Sequence, residues 1–344
     1  MRHLFYIHSA ITYLVALEVV RFNRLDRSQC CFLLGRNFYP STPEAGIALV
    51  PLPYTHHPIN SFAVERQFWK SWRKLQAFDA FVDEVTKGGE FHVYTNQTGI
   101  DFIRLLLSHK SCAGFSFLEE GLYSYYIAEK VNTEICPGGS ATYFYKLLQY
   151  LNFKGRLSQQ PFFFAEGYQA AYGVSDDSFP GFRNRTVLGN PFQNDDPAHS
   201  IDGHILVLDA LLEYGAVTKD AYEAAISKMF SFFEECEVKR IWIKFHPEQY
   251  AHSAFLLNIR AIIAKHQGRI EVNELPPHSL LERVAGNKDC TAKFYVFLSS
   301  VGLYAALCGR AVYSFANFVG DMDRGYQSRI DSLPAVFKKR VKFL

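Results

Sequence analysis

Between residues 205 and 315, short apolar runs alternate with helix-like stretches, and this constrains the chain more than any other feature. Runs at 205–208, 240–245, 269–272, 294–298 and 311–315 read as strands. The segments 221–235, 255–265, 279–285 and 301–307 read as helices, with Thr218 placed as an N-cap and Gly268 and Gly309 as closers. Strands separated by helices pair in parallel, so this half is predicted to be an open sheet flanked by helices. Ligands bind such sheets beyond the carboxyl ends of the strands.

The first half repeats the theme less regularly. Strands are expected at 4–7, 31–34, 47–49, 91–94 and 114–118. Helices are expected at 11–22, 62–86 (closed by Gly88 and Gly89) and 100–108. Residues 123–185 carry aromatic clusters and are expected to form helical excursions and loops. The turn-rich stretch 190–197 reads as a linker. At 344 residues, two domains are the natural division. They are expected at 1–190 and 200–316, followed by a tail at 317–344 that either packs back or contacts membrane. That tail ends in interleaved basic and apolar residues, Phe337 to Leu344. It reads either as a helix end or as a peripheral contact with anionic lipid.

Composition excludes several function classes. Lys and Arg number 36 against 34 Asp and Glu, so no global field favours nucleic acid. The seven cysteines form no C-x-x-C and read as reduced thiols of a cytoplasmic protein. No H-E-x-x-H spacing is present, and no metal is expected; neither Walker A nor G-x-G-x-x-G occurs. The apolar run after Ala10 is interrupted by Glu18 and followed by Arg21 and Arg24. It falls short of the roughly 20 residues that span a bilayer, and it reads as a buried helix rather than a leader.

The residues with chemistry cluster at expected strand ends. Phe117-Leu118-Glu119-Glu120-Gly121 brings two carboxylates out of a strand into a turn. Side chains alternate along a strand, so one Glu should face the ligand edge and the other away. Beside a like charge and an apolar wall, the edge carboxyl should have a raised pKa, which suits a general base; an exposed acid pair is the plainer alternative. In Lys244-Phe245-His246-Pro247, Pro247 fixes the backbone after the strand and holds His246 where an imidazolium could bind or protonate a departing phosphate. The other histidines read as structural or exposed. Ser299 and Ser300 lie where a strand gives way to a helix, as a phosphate cradle or an ordinary N-cap. Glu274 stands just past another strand.

An acidic pair followed by Gly, then His-Pro, then Ser-Ser, in that order, resembles the bacterial sialyltransferases; the likeness covers about residues 114–316. It implies an α/β GT-B fold, two Rossmann-like domains with parallel sheets facing a central cleft. The first domain would bind the acceptor and the second the CMP-sugar donor. The implied activity is inverting, metal-independent transfer of sialic acid, or a related nonulosonic acid, from CMP to a surface glycan or glycolipid, without cofactor. By this resemblance Glu120, or Glu119, is the base and His246 assists the leaving CMP phosphate. Ser299 and Ser300 hold that phosphate, Lys244 contacts the cytosine, and Glu274 holds the ribose hydroxyls. The alternatives are a CDP-polyol phosphotransferase or Kdo-type transferase of the same fold, or a non-catalytic glycan-binding protein.

Overall fold

The computed structural model describes residues 1–344 except 37, 41–42, 54–66, 138–142, 158–160, 197–199 and 278. The chain divides into two compact units, Met1–Pro191 and Phe192–Leu344.

The first unit is built on seven parallel strands: β1 (Arg2–Ile7), β2 (Cys30–Leu34), β3 (Ala48–Pro51), β4 (Phe91–Thr95), β5 (Cys112–Leu118), β6 (Ala171–Gly173) and β7 (Arg185–Val187). Their order is β3-β2-β1-β4-β5-β6-β7, so the first strand lies inside the sheet. Leu4 pairs with Cys31 on one side and Val93 on the other. Every residue of β2 and β4 is buried, as expected where helices cover both faces of a parallel sheet. Helix α1 (Ala10–Phe22) starts at Ser9, whose hydroxyl and that of Thr12 cap reciprocally. Helix α2 (Phe68–Thr86) ends at Lys87, in the left-handed region at φ 56°, followed by Gly88 at φ 66°. The expected start of this helix, at 62–66, lies outside the described residues. Next come α3 (Asp101–Leu107), a 3-10 turn at Gly121–Tyr125, a helical turn at Ala128–Lys130 that runs into a π turn at Val131–Ile135, and α4 (Tyr143–Asn152).

One finding differs from the sequence reading here. Residues 123–185 hold not only helices and loops but also β6, and β7 begins at their end; both extend the sheet. Each is three residues long, too short to carry a periodic signal. They are held by packing of Phe164, Phe179 and Phe182 around Phe117 of β5.

The second unit has six parallel strands: β8 (His204–Val207), β9 (Arg240–Lys244), β10 (Glu271–Glu274), β11 (Lys293–Val296), β12 (Val312–Ser314) and β13 (Lys342–Phe343), in the order β10-β9-β8-β11-β12-β13. The helices are α5 (Lys219–Glu235), α6 (Pro247–Ala251), α7 (Ser253–Ala264), α8 (Leu281–Gly286), α9 (Ser300–Leu307), α10 (Ala316–Gly320), α11 (Arg324–Ser332) and α12 (Ala335–Arg340). Thr218 occupies the N-cap of α5, but its side chain makes no capping bond. Residues 317–344 are not a free tail. Phe337 is fully buried, Val341 nearly so, and β13 pairs with β12. The seven cysteines are free thiols. Among the described residues, no helix is long and apolar enough to cross a membrane.

Candidate functional site

In the first unit, four neighbouring strands deliver polar residues to one edge. Ile7 of β1 is followed by His8, Thr95 of β4 by Asn96, Leu118 of β5 by Glu119 and Glu120, and Leu34 of β2 by Gly35 and Arg36. All strands run the same way, so these are the carboxyl ends. The alternation at the end of β5 sends the two glutamates in different directions. Glu119 is fully buried, and its carboxylate accepts from the Tyr125 hydroxyl at 2.6 Å, the Ser178 hydroxyl at 2.7 Å and the Val174 amide at 2.7 Å. Room for this cage depends on Gly173: a Cβ there would lie 2.3 Å from Ser178 Cβ.

Glu120 is about one-fifth exposed, and His8, 1 % exposed, lies behind it with Nε2 against Glu120 Oε1. The Asn96 side-chain amide donates to Glu120 Oε2. Ser124 Oγ accepts from the Glu120 backbone amide at 2.9 Å. The expectation of a raised pKa fails here. Burial pushes the Glu120 carboxyl up, but the charge and hydrogen bond of His8, the charge of Arg36 and the Asn96 amide outweigh it. The carboxyl is held below its ordinary range. Two buried polar atoms in this cluster, His8 Nδ1 and Asn96 Oδ1, have no hydrogen-bond partner among the described residues. Orphaned polar atoms are uncommon in packed interiors; the two carboxylate oxygens of Glu213 in the second unit share this condition.

In the second unit, Lys244 ends β9 and is 7 % exposed. Its ammonium donates to the Pro277 carbonyl and, at 3.4 Å, to that of Phe245. Burial lowers its pKa to about 8, against the opposing charges of Glu282 and Glu274. His246 is the N-cap of α6, and Pro247 occupies the first turn. The Glu248 amide donates to His246 Nδ1 at 3.2 Å, so the neutral ring carries its proton on Nε2. Ser299 caps α9, its hydroxyl accepting from the Val301 amide at 3.4 Å, and Ser300 opens that helix. The ordinary capping role is thus realised at Ser299. Glu274 is the last residue of β10, held by Arg260 at 2.8 and 3.0 Å and by the Tyr250 hydroxyl at 2.8 Å.

His246 and Ser299 leave the same edge of the sheet, with β8 between their strands. Two strand spacings make about 10 Å, a gap that side chains leaning inward can narrow around a small anion. Asp209, just past β8, stands between them. It accepts from the Leu298 amide at 3.0 Å, and burial raises its pKa to about 6. Its carbonyl accepts from the Tyr222 hydroxyl at 3.0 Å and from Gln249 Nε2 at 3.5 Å, while Gln249 Oε1 accepts from the His246 amide at 2.8 Å. The turns after β8, β9 and β11 are therefore laced together through Asp209 and the fully buried Gln249.

Sequence reasoning missed His8, Asn96, Arg36 and Asp209. The available signal was position: each follows an apolar run that ends a strand. Among the described residues, no group of three or more His, Cys, Asp or Glu is arranged to hold a metal ion.

No protein-family model matches the sequence, and no curated protein matches it. Solved structures do match in fold. S. aureus MnaA, solved with UDP, aligns at 11% identity and a TM-score of 0.51 over 91% of this chain and 79% of its own. A Methanocaldococcus jannaschii UDP-GlcNAc 2-epimerase, solved with UDP-GlcNAc and UDP, aligns at 11% identity and a TM-score of 0.51 over 100% of this chain and 89% of its own. The chain shares the fold of these two proteins, the GT-B arrangement of two successive Rossmann-like α/β domains.

Proposed function

We propose that this protein is a glycosyltransferase that takes its sugar from a nucleotide-activated donor, with a CMP-linked nonulosonic acid such as sialic acid as the donor and a surface glycan or glycolipid as the acceptor. The reading rests on the chemistry found at the carboxyl edge of each sheet, taken unit by unit. A carboxylate backed by an imidazole stands at the carboxyl edge of the first sheet, and a histidine and two serines stand at that of the second. Glu120 rather than Glu119 serves the acceptor, because Glu119 is enclosed and its oxygens already accept three hydrogen bonds. The acceptor hydroxyl loses its proton to the Glu120–His8 pair as its oxygen bonds to the anomeric carbon. The bond from that carbon to the phosphate oxygen breaks on the opposite face, which inverts the centre. His246, with its proton on Nε2, donates to the phosphate as charge builds there, and Ser300 and the N-terminus of α9 lie at the same edge. Lys244 is proposed to contact the cytosine and Glu274 the ribose.

A second reading has a specific motive. Both fold relatives were solved with UDP, so a UDP-sugar is the rival donor. The deciding experiment incubates the protein with CMP-sialic acid, CMP-Kdo, UDP-GlcNAc and a CDP-alcohol, with EDTA present, and follows nucleotide release. CMP release from CMP-sialic acid alone is expected. Release of UDP from the UDP-sugar alone would overturn the CMP assignment, and turnover of none would favour a binding protein.

A further inference from the structure

Helix α4 is turned inside out. Tyr143, Phe144, Leu147, Tyr150 and Leu151 fall within about 120° of one another around a helix of 100° per residue, a single apolar stripe. In a surface helix such a stripe faces the core. Here Tyr143 is 84%, Phe144 62% and Tyr150 53% exposed, with Leu147 and Leu151 also exposed. The helix is anchored instead by its other side, where Asn152 is fully buried, followed by the buried Phe153.

The stripe continues onto α2. Trp72 donates from its indole nitrogen to the Leu151 carbonyl at 3.0 Å, and the Lys154 ammonium sits 5.2 Å from the Trp72 ring. Trp69, one turn earlier, is 57% exposed. Single exposed apolar residues are unremarkable, but a run joined across two helices marks a docking surface.

Charge indicates what docks. Residues 67–78 and 143–155 contain Lys70, Arg73, Lys74, Lys146 and Lys154 and no Asp or Glu, whereas Arg156 beside them is largely buried and paired with Asp79 at 2.6 Å. Tryptophan and tyrosine beside lysine and arginine, around an amphipathic helix, is the composition that settles at a lipid headgroup boundary.

We infer that the α2–α4 face of the first unit is a membrane-docking surface that seats the protein on an anionic phospholipid bilayer. The helix apolar stripe enters the headgroup–acyl boundary, the two tryptophans lie at headgroup level, and the lysines and Arg73 meet lipid phosphates. This surface is separate from the basic segment near Phe337, which is folded into the second unit through Phe337 and Val341.

The test is sedimentation of the full chain with phosphatidylcholine vesicles, with and without phosphatidylglycerol. Binding only to the anionic vesicles, weakened by salt, is expected, and tryptophan emission should move to shorter wavelength. Phe144→Ser combined with Leu147→Ser should cut partitioning by about tenfold or more, because the apolar area that enters the lipid is lost. Trp69→Ser provides a second variant on the other helix, and thermal melts confirm that both fold. Lys338→Ala with Lys339→Ala should leave binding in place. Unchanged partitioning of the α4 and Trp69 variants, or an absence of vesicle binding by the parent, overturns the inference. So does a parent dimer that the α4 variant abolishes, which would make a second copy the occupant. Every readout is lipid binding or mass, so failure here is distinct from failure of the proposed reaction.

Discussion

Glu119 and Glu120 are adjacent carboxylates with opposite surroundings. A strand places successive side chains on opposite sides, so one residue of register separates a carboxylate buried under three hydrogen bonds from one at the sheet edge facing His8. The two should respond differently to the same substitution. Glu119→Gln puts an amide NH2 among groups that donate, and leaving a buried polar group poorly matched costs about 1–3 kcal/mol. A lower melting temperature is expected, with turnover per folded molecule largely kept. Glu120→Gln should preserve the fold and lower turnover by about 10²–10⁴-fold, the usual contribution of an acid–base group, without weakening CMP binding. Melting curves, steady-state kinetics and CMP titration of both variants check this, and the reverse pattern would assign the base to Glu119. The position of the acidic pair at the end of a strand was legible because the apolar run before it and the turn after it are written in the sequence. The sign of the pKa shift was not, since it depends on His8 and Asn96, which lie over a hundred and over twenty positions away and meet Glu120 only when β1, β4 and β5 align.

At the scale of elements, the strand–helix alternation of the second unit was readable because its central strands are buried on both faces and written as apolar runs. The strands that escaped are β6, β7 and β13, two or three residues each, held by neighbours rather than by their own pattern. The lacing of the turns after β8, β9 and β11 also escaped, because Asp209 and Gln249 carry no motif. It has a measurable consequence. The folded pKa of Asp209 is raised to about 6, above the ordinary carboxylate value of about 3.9. Between these values folded Asp209 keeps the proton that the unfolded residue has lost, so its own contribution to stability falls as pH rises from about 4 to about 6. The loss from this one group is at most about 3 kcal/mol. Asp209→Asn keeps an acceptor for the Leu298 amide and cannot ionise. Its stability relative to the parent should rise as pH goes from 4.5 to 7.5 (about a 3 kcal/mol change at most). Urea unfolding at both pH values reads this difference. A difference that is flat with pH would mean that Asp209 titrates normally.

At the scale of the whole molecule, each unit has its own parallel sheet and its own buried core, and the described chain divides between Pro191 and Phe192. Units of about 150–190 residues with separate cores are large enough to fold alone. The second unit holds every residue proposed to contact the nucleotide, namely Lys244, His246, Pro247, Glu274, Ser299 and Ser300. A fragment spanning Phe192–Leu344 should therefore fold cooperatively. β13 must be included, because Phe337 and Val341 close its core and β13 covers the edge of β12. CMP should raise the melting temperature of this fragment, since a ligand that binds only the folded state stabilises it in proportion to occupancy. His246→Ala within the fragment should weaken that shift, because it removes a donor to the phosphate while leaving the Asp209–Leu298 tie intact. UMP and UDP serve as comparators. A fragment that folds but responds to UDP and not to CMP would carry the donor assignment over to the UDP-sugar reading. One that folds and responds to none of them would place the nucleotide on residues of the first unit instead, where Arg36 and His8 stand at the other sheet's carboxyl edge.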